Sequence, residues 1–331
     1  MKFIKKFTDL SKSDTQIAGG KGASLGEMTQ AGMPVPPGFV VLASAFEKFL
    51  QEEQLSVDIE AILKDVNHED TNSVDGTSAK IQAMILNVQI PKDIQKEIVS
   101  GFEKLGANYV AVRSSATVED SSSASWAGEL ETYLNVTEKN LIEKVQKCWA
   151  SLFTPRAIFY RFEKKLHKEK VSVAVVIQKM IQSEVSGITF TVHPVTQDKN
   201  QMVIEAGYGL GEAIVGGKIT PDSYIINKSE IRNTKYETNS KSQILNSKHK
   251  PILEKYISEQ KMMIVRGEKG TKEKNVPENL REKQKLPDDK ILELAEICLK
   301  IEKHYNYPQD IEWAAEKNKL YITQSRPITT L

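Results

Sequence analysis

The stretch from Tyr307 to Pro327 constrains the chain more than any other. Apolar and polar residues alternate there with a period of two, which predicts a β-hairpin. The first strand puts Asp310 and Glu312 on one face and Ile311 and Trp313 on the other. Glu316 to Lys319 supply a polar turn, and the return strand gives Gln324 and Arg326 a common face. Two readings of that polar face stand side by side. One is a solvated sheet face carrying a surface ion pair. The other is a set of hard oxygen ligands for a divalent metal beside donors for phosphate oxygens.

Any such chemistry has to come from a local site. The 331 residues hold 45 Lys plus Arg against 44 Asp plus Glu, so no overall basic field recruits nucleic acid or an anionic membrane. A chain of this length suits two or three packed subdomains rather than one small core. No apolar run approaches a membrane span, and Met1 to Phe7 lacks the hydrophobic core of a signal peptide, so the expectation is a cytoplasmic protein. Cys148 and Cys298 each fall on the apolar stripe of an expected helix and are read as free, packed thiols. No two of the five histidines have metal-ligand spacing.

Read in order, the chain opens with a strand at Phe3 to Phe7. A glycine-rich turn from Ala18 to Met28 then runs into a helix, with Lys21 near its start. Helix amides and glycines favour a phosphate there, although a plain helix start with an exposed lysine reads the same way. The turn is not a Walker loop: Thr15 replaces its first glycine, and Gly22 follows Lys21 where Ser or Thr is required. Residues 56–105 read as mostly helical with a break at Ile90 and Pro91. An apolar strand from Tyr109 ends at Arg113, and the serine-rich segment after it carries Gly128, Trp126 and Tyr133. That segment is read either as a cover over a triphosphate or as a linker. Strands follow at 171–181, with Gln178, at 185–192, and at 202–206, with Glu205 read as structural. Residues 229–285, rich in Lys, Asn and Ser, are expected to be peripheral, and Pro287 opens a long helix.

Taken together, the motifs Gly19 to Met28, Val112 to Thr117, Trp126 to Val136, Cys148 to Ala157, Gly209 to Ala213, Asp310 to Trp313 and Gln324 to Pro327 resemble the nucleotide-binding domain of phosphoenolpyruvate synthase. Pyruvate phosphate dikinase and rifampin phosphotransferase carry a similar domain. The resemblance covers essentially the whole chain. It implies an α+β, ATP-grasp fold whose two subdomains, residues 1–180 and 181–331, enclose a nucleotide cleft. It also implies that Lys21 and Arg113 grip the triphosphate of ATP, with Gly128 and Thr132 in the loop above it, and that Gln178 lies near the adenine. Asp310 and Glu312, with Gln324, would hold Mg2+, while Gln324 and Arg326 complete the phosphate site. Lys21, Arg113, Glu312 and Arg326 would be the catalytic groups.

The resemblance further implies two partners: a swivelling domain whose histidine carries the phosphate, and a pyruvate-binding domain. None of the five histidines here has the glycine and threonine setting of that carrier, so both partners are expected in a longer protein or a separate chain. The alternatives are the front end of an antibiotic phosphotransferase and a regulatory nucleotide-binding module that only docks.

Overall fold

The structure is a computed structural model that describes residues 2–117, 131–165, 171–231, 250–268 and 270–329. The chain forms two compact units, one of Met1–Ala31 with Pro36–Met180 and one of Gly32–Val35 with Ile181–Leu331. Each has its own antiparallel sheet.

The first unit runs β1 (Ile4–Lys6), α1 (Thr15–Gln30), β2 (Gly38–Val41), α2 (Ala43–Glu52), α3 (Leu55–Lys64), α4 (Thr71–Leu86), α5 (Lys92–Leu105), β3 (Val110–Ala116), β4 (Thr132–Val136), α6 (Glu138–Ala150), α7 (Pro155–Glu163) and β5 (Val173–Lys179). Its five strands are ordered β1-β2-β5-β3-β4. One face, with Phe39, Val41, Val110, Val112, Val175 and Ile177, packs with Phe46, Phe49, Ile81, Ile85, Ile98 and Trp149 from the helices into a single core. The helix ends follow the sequence. Thr137 and Asn140 form a capping box, and the Thr154 hydroxyl accepts from the Ala157 amide with Pro155 at the first helical position.

The second unit contains β6 (Val185–Phe190), β7 (Gln201–Tyr208), α8 (Glu212–Val215), β8 (Asp222–Asn227), β9 (Ile252–Tyr256), β10 (Met262–Arg266), β11 (Thr271–Asn275), α9 (Asp288–Tyr305), β12 (Gln309–Glu316) and β13 (Lys319–Pro327). Six strands form a sheet ordered β13-β12-β6-β7-β8-β9, and β10 pairs with β11 as a separate ribbon. The buried stripe Ile291, Leu294, Ala295, Cys298 and Ile301 of α9 covers one face, on which Ile311, Trp313 and Ile204 lie. A Cβ at Gly187 would fall 1.8 Å from the Glu205 carbonyl oxygen and 2.6 Å from Trp313 Cζ2, so only glycine lets the indole cross β6.

Residues 250–286 are less peripheral than expected, because a buried charge ties them to the sheet. Lys285 and Asp222 are fully buried and paired at 2.8 Å. Asp222 also accepts from Tyr224 Oη at 2.8 Å and from the Ser258 and Lys285 amides at 3.0 and 2.9 Å, so every buried donor around it is used. Gln260 acts similarly: its Oε1 accepts from the Tyr208 amide at 2.8 Å and its Nε2 donates to the Tyr208 carbonyl at 3.0 Å. Among the described residues no helix is long and apolar enough to cross a membrane.

Candidate functional site

In the first unit the expected site residues lie on the sheet face opposite the main core. Arg113 on β3 is directly opposite Thr132 on β4 and Val176 on β5, and Gln178 follows Val176 by two residues on β5. Period-two geometry therefore places Arg113, Thr132 and Gln178 on one face. Arg113 and Gln178 are buried, at 8% and 3% exposure, and the Gln178 amide nitrogen has no hydrogen-bond partner. A buried donor left unpaired costs about 1–3 kcal/mol, which an acceptor on a ligand recovers.

Lys21 reaches the same face on α1. This helix begins earlier than the sequence suggests, at Thr15, and is broken at Gly19, whose φ of 69° and ψ of 171° are non-helical. A regular helix restarts at Gly20, so Lys21 sits in a first helical turn after all. The break is imposed by β3: a Cβ at Gly19 would lie 2.2 Å from Ser115 Oγ and 2.3 Å from its carbonyl oxygen. Gly128 and the serines at 121–125 fall outside the described residues.

In the second unit the hairpin forms as expected, with β12 and β13 paired from Gln309↔Pro327 to Glu316↔Lys319. Lys317 and Asn318 both have positive φ, 49° and 65°, as a two-residue turn of type I′ requires. The sequence conceals one irregularity. Glu312 pairs with Gln324 but Trp313 pairs with Ile322, so Thr323 is an extra, bulged residue. Because of the bulge, Ile322 faces the α9 side with Trp313, while Gln324, two residues on, shares the opposite sheet face with Glu312 and is itself buried.

Four strands then carry charged and polar groups on one face, interleaved with apolar ones. Gln324, Glu312, Ile188 and Glu205 are successive partners across β13, β12, β6 and β7, and Arg326, Asp310, Phe190 and Val203 form the row beside them. Arg326 donates to Asp310 Oδ2 through Nε at 2.9 Å and Nη2 at 2.7 Å. Burial nevertheless holds the Asp310 carboxyl above its ordinary range, Arg326 opposes that rise, and the Glu312 charge adds to it. Burial, followed by the charge of Asp310, also raises Glu205. Glu205, read as structural from sequence, thus belongs to the acidic face; its neighbours come from β6 and β12, and nothing local announces them.

The hairpin is anchored behind Asp310. Thr191 Oγ accepts from the Gln309 amide at 2.8 Å, and Ser325 Oγ donates to Gln309 Oε1 at 2.8 Å. Lys228, itself buried, donates to the Thr191 carbonyl at 2.7 Å and to Glu302 at 2.6 Å. Among the described residues no group of three or more His, Cys, Asp or Glu side chains is disposed to hold a metal by itself. The donor set suits an ion that draws its remaining ligands from phosphate and water.

Comparison with known proteins identifies the family. The model of the family described as pyruvate phosphate dikinase, AMP/ATP-binding domain, matches residues 15–331. A probable phosphoenolpyruvate synthase of Methanocaldococcus jannaschii is 46% identical, over 100% of this chain and 27% of its own length. One of Methanothermobacter thermautotrophicus is 41% identical, over 100% of this chain and 46% of its own length. Rifampicin phosphotransferase of Bacillus subtilis is 37% identical, over 98% of this chain and 35% of its own length. The chain thus spans about a quarter to a half of the length of these relatives. A solved D-alanyl-alanine synthetase A of Vibrio cholerae aligns with 77% of the chain at 11% identity and a TM-score of 0.28, too slight a likeness to assign a fold. On the match over residues 15–331, this chain belongs to the pyruvate phosphate dikinase family of AMP/ATP-binding domains.

Proposed function

We propose that the chain is the ATP-binding part of a phosphoenolpyruvate synthase with an ATP-grasp fold. It would take Mg-ATP and pass phosphate to a histidine on a carrier domain, from which pyruvate receives it. The observation that carries this reading is the row on β12 and β13, where the bulge at Thr323 brings Gln324 beside Glu312 and Arg326 beside Asp310. Two carboxylates and an amide oxygen fit magnesium, which keeps several non-protein ligands. When bound, the ion would neutralise charge on the phosphate oxygens.

The protein's own groups would then bind and orient. Lys21 and Arg113 would hold triphosphate oxygens, Thr132 would lie over them, and Gln178 would direct its amide to the adenine. Arg326, fixed by Asp310, would face the transferring phosphate. Phosphoryl transfer asks little covalent chemistry of the protein, so positioned charge is what such a site must supply.

The test is Glu312→Gln. It should largely retain Mg-ATP affinity and lose phosphorylation of an added carrier domain by about a hundredfold or more. Equal phosphorylation by both proteins would refute the assignment. The 37% identity to a rifampicin phosphotransferase supports a second reading, in which the final acceptor is an antibiotic. Assaying pyruvate and rifampicin with the complete protein separates the two.

A further inference from the structure

Ser115, two residues beyond Arg113, bonds to the turn of α1 that carries Lys21. The second half of α1 restarts after Gly19, which occupies the N-cap position and has no side chain to cap with. Counting from Gly20 as the first helical residue, Gly22 is the third, whose amide an N-cap oxygen ordinarily satisfies. Here that amide donates to Ser115 Oγ at 3.2 Å, and the same hydroxyl donates to the Ala18 carbonyl at 3.0 Å. One buried hydroxyl thus bridges the two sides of the break. Ser115 is 0% exposed and lies two residues beyond Arg113 on β3, on the same face.

We propose that Ser115 is a positioning residue for ATP, a cap supplied from outside the helix that fixes the Lys21-bearing turn at a set distance from Arg113. The proposal rests on the reading of Lys21 and Arg113 as triphosphate groups. Neither partner is adjustable. Gly19 has no room for a Cβ against Ser115, and β3 is held by pairing on both edges, with β5 and β4. Without the hydroxyl, the amide of Gly22 and the carbonyl of Ala18 lose their shared partner. The turn is then free to shift by the fraction of an ångström that bidentate phosphate binding does not tolerate. Ser114, on the other face, bonds instead to Ser151 Oγ at 3.0 Å and the Glu131 carbonyl at 3.1 Å, and serves as the control.

The experiment titrates Mg-ATP and adenosine into the full chain and its variants. Ser115→Ala should weaken Mg-ATP about fivefold, the usual worth of a lost cap, and leave adenosine affinity unchanged. Ser114→Ala should leave both unchanged. In a Lys21→Ala background, Ser115→Ala should add less than a further twofold loss, because the two act as one unit. Additive losses, or an equal loss for adenosine, would overturn the proposal and leave Ser115 a packing residue. If Ser115→Ala does not fold, Ser115→Cys, nearly the same size but a weak acceptor, should give an intermediate loss, and unchanged Mg-ATP affinity there would overturn it too. Failure of the unaltered chain to bind Mg-ATP would instead refute the nucleotide reading itself.

Discussion

Arg326 donates through both Nε and Nη2 to a single oxygen, Oδ2, of Asp310, so one residue of the hairpin holds the orientation of the other. The pair is partly buried, with side-chain exposures of 31% and 14%. Removing one member leaves the other half-desolvated without its partner, which costs about 1–3 kcal/mol. Arg326→Ala should therefore lower the unfolding free energy by that amount, while Asp310→Asn with Arg326→Ala should recover most of it. Neither variant should phosphorylate a carrier domain. Denaturant unfolding gives the first result and phosphate transfer the second; recovery of transfer by the double variant would show that the pair is structural only.

The Lys285–Asp222 pair predicts a larger effect. Truncating Lys285 leaves Asp222 in a fully buried pocket without its ion-pair partner, so Lys285→Ala should cost about 3–5 kcal/mol. Loss of hydrogen-exchange protection should concentrate in β8 to β11. A change below about 1 kcal/mol would mean that water reaches the pocket.

Burial pushes the Cys148 and Cys298 thiols up to about 12, from an ordinary value of 9.0. In the unfolded chain they ionise above pH 9 while the folded ones stay neutral. Their contribution to stability is therefore fully present below pH 9 and is lost as pH rises from there toward 12, at about 1.4 kcal/mol per pH unit for each thiol. Unfolding free energies between pH 7 and 10.5 should fall more steeply for the natural chain than for Cys148→Ala/Cys298→Ala. Parallel profiles would contradict the burial effect. Neither thiol of the folded protein should react with an aromatic disulfide at pH 8.

What the sequence reveals and what it hides follow from the range of the forces involved. The β12–β13 hairpin, the Thr137 and Thr154 caps and the packed cysteines are local patterns, and all are present in the structure. The facing of Arg113 and Gln178 also follows from period two once β3 and β5 pair. Three features are not local. The break at Gly19 is set by Ser115, ninety-six residues away along the chain, and the acidic setting of Glu205 is set by Asp310. The charge of Lys285 reads as a solvated lysine until Asp222 is found beneath it. Even the bulge at Thr323 escapes period-two counting, because Ile322 and Gln324 should then share a face.

Mg-ATP should also stabilise the chain, by about 2.7 kcal/mol at a hundred times its dissociation constant. A folded sample whose melting temperature does not respond to Mg-ATP would refute the nucleotide reading.

Hydrogen exchange with and without Mg-ATP tests most directly the proposal that the residues named above bind the nucleotide. Lys21, Arg113 and Gln178 belong to the first unit, and Asp310, Glu312, Gln324 and Arg326 to the second. Saturating Mg-ATP should slow exchange at Gly20 to Ser24 and Val110 to Ala116, and in the same sample at Gln309 to Pro327. Protection absent from any of these segments would contradict the role proposed for its residues.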